Sequence, residues 1–514
     1  MLQKLEMFSV FFWVFFSCYL VLVDQTLASV EVLKNPDMEI VNFDNNWSCK
    51  GGCTLTSSKD HYSGSRSVMV SNRTANFNGL AQNVVVTPGS SYNFTAYIQL
   101  LNMEQGAMYQ TVETKMTCKG SPGKKQKHSF EIWTRQRQIH VMYIYKFGAT
   151  VNYLVDDASL QVVEENANWK TEANARIEKI RKSDIDVVLS SASQNEKYQV
   201  ELIQNTHEFA FGSAVGAKQI VDPNYRKYAQ ALYDNFEWAV LENALKWRLM
   251  EWTKGKIDYD TPINALNALK GNGLEHWDVN NENTHGVYFE TATGNPNITN
   301  QMFDDAHAVD PNVKIFLNDF GVMEQFASVP LHNQAKFLKQ AGVPIYGVGI
   351  QSHIKNTSLD IAQMKGRLDM VAAAGLPIWI TELSLASNDT NSRASALRDI
   401  LTLYFSHPAV EGVLFWGFWD GKIFTPEVAL FEGPDVTPNE AGKAYQTLFK
   451  TTWRTSVTRD VTGDSTFTVR GFKGEYTVKL SHNGKELKQE TFKLGSTNQT
   501  INIDVGKTYM KLQL

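Results

Sequence analysis

From about Trp169 to Thr452, continuous apolar runs of four to eight residues alternate with segments of helical period, and this alternation constrains the fold most. The runs include "FAFGSAVG", "VKIFLNDF", "YGVGIQSH", "PIWITELS" and "GVLFWGFWD"; between them lie segments such as "YRKYAQALYDNF" and "MKGRLDMVAAAG". A strand apolar on both faces must be covered on both, which requires a parallel sheet flanked by helices. No glycine-rich phosphate loop follows the first run, and nearly every run ends in polar or aromatic residues. The expectation is a closed (β/α)8 barrel of the TIM type rather than an open doubly wound sheet.

The chain has 514 residues, enough for about three domains. Residues 30–165 are rich in Val, Thr, Tyr and Phe in short runs ("SRSVMV", "SYNFTAYIQL", "HVMYIYKF") separated by turn clusters, which predicts a β-sandwich. The barrel is expected over 169–452. Residues 454–514 alternate again, with "HNGK" as a hairpin signal, and predict a small β module.

The first residues combine Lys4, an apolar stretch from Phe8 to Val23, and small residues at Thr26 and Ala28. This is the layout of a secretory signal peptide over 1–28; an uncleaved anchor is the alternative. Seven Asn-x-Ser/Thr sites follow, at Asn46, Asn72, Asn93, Asn297, Asn356, Asn388 and Asn498. Together they predict a secreted glycoprotein, extracellular or in a cell wall, with no membrane attachment after cleavage. The formal net charge of −5 comes without a long basic run, so no nucleic-acid partner is expected. Cys49, Cys53 and Cys118 remain after the signal, allowing one disulfide and one free thiol, in a pairing the sequence leaves open. No histidine lies at ligand spacing beside them, and neither metal nor cofactor is expected.

Catalytic groups of such barrels project from the C-terminal ends of the strands. Those ends collect Glu242, Asn243, Lys246 and Trp247, then Asn281 and Glu282, Asn318 and Asp319, Gln351 and His353, Glu382, and finally Trp416, Trp419 and Asp420. Carboxylates, amides, one histidine and tryptophans on one face describe a sugar site, where aromatic faces stack on rings and two acids do the chemistry. Glu282 and Glu382 are the candidate pair, each closing an apolar strand where an idle buried charge would be costly. His353 can orient Glu382, and Asn281 can bond the hydroxyl beside the reacting carbon. Asn280 and Asn283 read as turn residues.

Taken in order, "ENALKW", "WDVNNE", "LNDF", "GVGIQSH", "WITELS" and "FWGFWD" resemble glycoside hydrolase family 10, the retaining endo-β-1,4-xylanases, over roughly residues 205–450. The resemblance implies Glu282 as acid/base and Glu382 as nucleophile, with His353 bonding the nucleophile and Asn281 and Gln351 at the sugar being cleaved. It implies Glu242, Asn243 and Lys246 at the next sugar, Trp416 capping the site, and xylan or a related β-1,4-linked polysaccharide as partner. "NPDMEIVNFDNNW", "HYSGSRSVMVSNRTANFNGLAQNV" and "VNYLVDDASLQVV" resemble carbohydrate-binding module family 22. Arg73 and Phe77 fall where that family places an arginine and a stacking tryptophan. "YIYKFG" lacks the carboxylate often found before its last strand, so a purely structural module stands beside a sugar-binding one.

Only seven strands can be counted: 209–216, the run ending at "ENALKW", 274–280, 313–319, 345–351, 377–381 and 412–417. "TPINALNALKGNG" reads as the helix after the second strand, and "LEHWDVNNE" begins at once where family 10 has a further strand and helix. The barrel is thus expected to lack its third βα unit. Two functions follow: a secreted xylanase using double displacement, or a catalytically impaired xylan-binding or structural wall protein. A barrel glycosidase with another β-linked substrate is a third.

Overall fold

The computed structural model describes residues 31–43, 46–87, 90–104, 113–118, 138–269, 275–286, 288–324, 327–423 and 425–506. The expected signal peptide lies outside them, as do residues 270–274, the point at which the sequence leads one to expect a βα unit to be lacking. Among the described residues no helix is long and apolar enough to cross a membrane.

The first region contains two four-stranded antiparallel sheets. One orders its strands 48–50, 79–86, 138–145 and 113–118; the other 54–58, 67–71, 153–163 and 91–100. Trp47, Val68, Val70, Leu80, Ile144, Tyr153 and Leu160 form one buried core with residues from both sheets, as the alternating runs predict. Cys49 and Cys53 form a disulfide, which settles the pairing left open above.

In the central region seven parallel strands form the main run of one sheet: β1 (Ala210–Val215), β2 (Trp238–Leu241), β3 (His276–Asp278), β4 (Lys314–Asp319), β5 (Gly347–Ile350), β6 (Ile378–Leu385) and β7 (Val410–Phe415); the short strand His353–Ile354 pairs in parallel with β6 off that run. Their order is β2-β1-β7-β6-β5-β4-β3, so that among the described residues β2 and β3 are edges. The closed eight-stranded ladder expected for the fold type is not what these residues form. Inner strands β1, β5 and β7 are buried along almost their whole length, whereas β2 and β3 each expose residues; Trp277 is 36% exposed. The edges meet through side chains instead. The Trp238 and His276 rings lie 5.3 Å apart, and both reach Trp379 of β6, at 5.1 and 4.2 Å. Burial and then the charge of Lys314 push the His276 imidazole down to about 4, which keeps this ring neutral inside the sheet.

The boundaries drawn from sequence need one correction. Strands 182–190 and 197–207, assigned above to the barrel region, belong to a sandwich with the C-terminal strands. Strand 197–207 pairs with 456–462 and 474–482, while 182–190 pairs with 465–472 and 499–504. Ile185, Val187 and Leu189 and then Tyr198, Val200 and Leu202 are buried at every second position, the period of a half-buried strand rather than of a barrel strand. The "HNGK" turn takes the expected hairpin form, with Asn483 and Gly484 at φ +50° and +75°. Arg181 anchors the junction to the sheet, donating to the carbonyls of Phe405, His407 and Val410.

Candidate active site

Glu382 sits within β6, one of the inner strands, and is 9% exposed. Its Oε1 accepts from Asn318 Nδ2 at 3.2 Å, and its Oε2 lies 3.2 Å from His353 Nε2. His353 Nδ1 is 2.7 Å from Ser384 Oγ. With that hydroxyl donating to Nδ1, the neutral ring carries its proton on Nε2 and gives it to Glu382. The carboxylate is therefore held by two donors on different strands, which fixes its aim.

Glu282 stands differently. It follows β3 in a turn where Asn280 has φ +48° and Glu282 itself φ +63°, left-handed geometry that is unusual for a glutamate. The turn holds because Glu282 N–H donates to the Asn318 carbonyl at 2.9 Å and Gln351 Nε2 donates to Glu282 Oε1 at 2.8 Å. Such strain at a polar strand end suits a functional site better than a structural one. The Glu282 side chain reaches solvent.

Asn318 joins the two acids. Its backbone carbonyl fixes Glu282, its amide fixes Glu382 and also donates to Asn281 Oδ1 at 2.9 Å, and its Oδ1 accepts from Thr381 at 2.7 Å. Asn281 then has its Nδ2 left to donate to a ligand hydroxyl. The neighbouring strand makes room for this amide with a glycine. A Cβ on Gly349 would lie 2.3 Å from Asn318 Oδ1. "LNDF" and "GVGIQSH" thus encode one contact, and the bridging role of Asn318, Thr381 and Ser384 was missed because no spacing rule links residues on different strands.

Lys246 and Trp416 are also brought together, the ammonium 5.3 Å from the indole ring. Trp416 hangs from Leu383 O, so it follows β6 as well as its own strand. Glu242 is tied to β1 through its N–H on Val215 O, and Asn243 O accepts from Lys246 N. Both are half-exposed beside Lys246. Trp419 and Asp420 prove structural: the indole donates to Gly433 O at 2.8 Å, and the carboxylate accepts from Gly433 N at 3.1 Å. Asp278 of β3 escaped the sequence reading. Burial and then the charge of Glu382 push its carboxyl up to about 7, although solvent reaches it along the open edge and softens that push.

In the first region, Arg73 does not reach the surface as expected for a sugar contact. It is 6% exposed, and its guanidinium donates to the carbonyls of Asn78, Phe147, Gly148 and Val151 beneath the Phe147 and Tyr153 rings. Its donors are spent on loop backbone. Phe77, by contrast, is 62% exposed and open to stacking. Among the described residues no group of three or more His, Cys, Asp or Glu could hold a metal ion.

The family profile described as Glycosyl hydrolase family 10 matches residues 264–451, and one described as Carbohydrate binding domain matches residues 30–139. The anti-sigma-I factor RsgI6 of Acetivibrio thermocellus is 32% identical over 388 residues, 66% of this chain and 49% of that protein. Endo-1,4-beta-xylanase 3 of Arabidopsis thaliana is 27% identical over 430 residues, 72% of this chain and 56% of that protein. The chain thus spans about half the length of these curated relatives. Among solved structures, xylanase 10B from Thermotoga petrophila RKU-1 in complex with xylobiose has 21% identity and a TM-score of 0.42, covering 48% of this chain and 95% of that one. With Glu282, Gln351 and Glu382 all inside the matched stretch, the chain carries a glycosyl hydrolase family 10 domain, preceded by a carbohydrate-binding domain.

Proposed function

We propose that the central sheet is the catalytic part of a secreted, retaining endo-1,4-β-xylanase. Glu382 attacks the anomeric carbon while Glu282 protonates the departing glycosidic oxygen, giving a glycosyl-enzyme ester. Glu282 then takes a proton from water, which attacks the same carbon and frees Glu382. The observation that carries this reading is the bridge through Asn318, which holds one carboxylate fixed and the other at the mouth of the site. Xylan as substrate rests on the names of the relatives and on the motif resemblance. Asn281 and Gln351 serve the sugar being cleaved, and Glu242, Asn243, Lys246 and Trp416 the next one.

The N-terminal segment and the sequons support passage through a secretory route; six of the seven asparagines are exposed and Asn46 is half-exposed. The first region is read as a family 22 module that stacks sugar through Phe77 without Arg73. The edges at β2 and β3 fit a sheet lacking one βα unit.

The test is hydrolysis of xylan, cellulose, mannan and an aryl β-xylobioside by the full chain, with the product anomer followed by NMR. Release of β-configured xylo-oligosaccharides is expected. Retention on xylan in affinity electrophoresis without turnover of any substrate would replace the enzyme with a non-catalytic wall-binding protein.

A further inference from the structure

The loop after β2 carries two tryptophans that folding does not use. Trp247 is 69% exposed and Trp252 82%, far more than the usual burial of this residue. Trp247 is nonetheless oriented: its indole N–H donates to Glu251 Oε2 at 2.8 Å, and Glu251 Oε1 accepts from Gly255 N at 2.6 Å. The tip is a tight turn in which Lys256 N donates to Thr253 O, with Gly255 at φ +81° and nothing near its absent Cβ. That φ marks a type II turn, so glycine is required by conformation and not by space. Trp252 makes no ring contact or hydrogen bond among the described residues.

The charges of this loop are divided. Two of its acids hold the loop: Glu251 as above, and Asp258, which accepts from the Thr261 backbone and hydroxyl at 3.0 and 2.7 Å. Arg248, Lys254 and Lys256 are exposed and form no ion pair among the described residues. Flat aromatic faces among free cations suit a hydrated, carboxylate-bearing sugar chain better than an apolar protein surface. The loop also begins at Lys246, which faces Trp416 in the candidate site.

We propose that residues 247–256 form an outlying platform for a β-linked polysaccharide bearing uronate substituents, with Trp247 and Trp252 stacking on sugar rings and Arg248, Lys254 and Lys256 pairing with the carboxylates. This rests on the xylanase reading. Two variants of the full chain, Trp252→Ala and the double charge reversal Lys254→Glu with Lys256→Glu, test it in a Phe77→Ala background that removes stacking by the first region. For Trp252→Ala, the ratio of kcat/KM on uronate-bearing xylan to that on an aryl β-xylobioside should fall about tenfold. The charge reversal should lower the same ratio and abolish its salt dependence, while leaving the ratio for uronate-free xylan intact. Unchanged ratios in correctly melting variants would overturn the platform. Equal losses on both xylans in the charge-reversal variant would overturn the uronate assignment. Absence of aryl-xylobioside turnover in the parent would refute the xylanase reading instead, and affinity electrophoresis of the same variants on both xylans would still decide the platform.

Discussion

The two candidate carboxylates occupy opposite kinds of strand. Glu382 belongs to β6, flanked by β5 and β7 and buried on both faces, and it meets two side-chain donors. Glu282 follows β3, an edge strand with exposed residues, and its side chain is held by Gln351 alone among the hydrogen bonds described for it. The difference matches the chemistry. A nucleophile must lie on a line to one carbon, whereas an acid that becomes a base must admit first a leaving sugar and then a water.

The sharpest break of this contrast is Glu382→Ala, which should lower kcat by about 10⁴-fold or more on every substrate, as loss of a nucleophile does. If aryl β-xylobioside turnover survives in that variant, Glu382 is not the nucleophile. Glu282→Ala should cost about 10²–10⁴-fold on xylan but far less on aryl glycosides with good leaving groups, for which protonation matters little in the first step. Equal losses on both classes would take the acid role away from Glu282. Asn318→Ala touches both acids at once. It should cost about 10²-fold in kcat with little change in KM, along with about 1–3 kcal/mol of stability from its orphaned partners, read by kinetics and thermal melting. Gly349→Ala should reproduce the kinetic part by displacing the same amide.

The smallest effect is a pH dependence at the edge. Asp278 is raised from 3.8 to about 7, so the folded state keeps its proton where the unfolded chain has lost it. Its contribution to stability is full below the unfolded value and is lost as pH rises toward 7. Asp278→Asn should therefore gain in melting temperature over the parent as pH rises across that window. A difference that stays flat with pH would mean that solvent at the open edge has cancelled the shift.

Much of this was legible in the chain. Continuous apolar runs located the inner strands, because a strand buried on both faces has no other way to be written, whereas the edges β2 and β3 were placed by the polar residues that follow them. The two glutamates followed from their places at the strand ends. Asn318 was seen as a strand-end residue but not as the bridge, since its partners come from β3 and β6, and pairing between strands is set by register rather than by local sequence. Arg73 was misjudged for a similar reason. Its surroundings are backbone carbonyls of a distant loop, which side-chain patterns do not reveal. Strands 182–190 and 197–207 were misassigned because they lie next in sequence to the parallel sheet, although their period of two already set them apart.

Those two strands have a consequence for how the molecule is made. Their partners are at 456–504, so the whole parallel sheet lies in sequence between the two halves of one sandwich. A ribosome adds the roughly 250 intervening residues in about 10–50 s, during which Ile185, Val187, Tyr198 and Val200 have no permanent partners. The last strands to be synthesised thus act as the clasp that closes over the first, and a chain stopped before them would leave strands 182–190 and 197–207 bare.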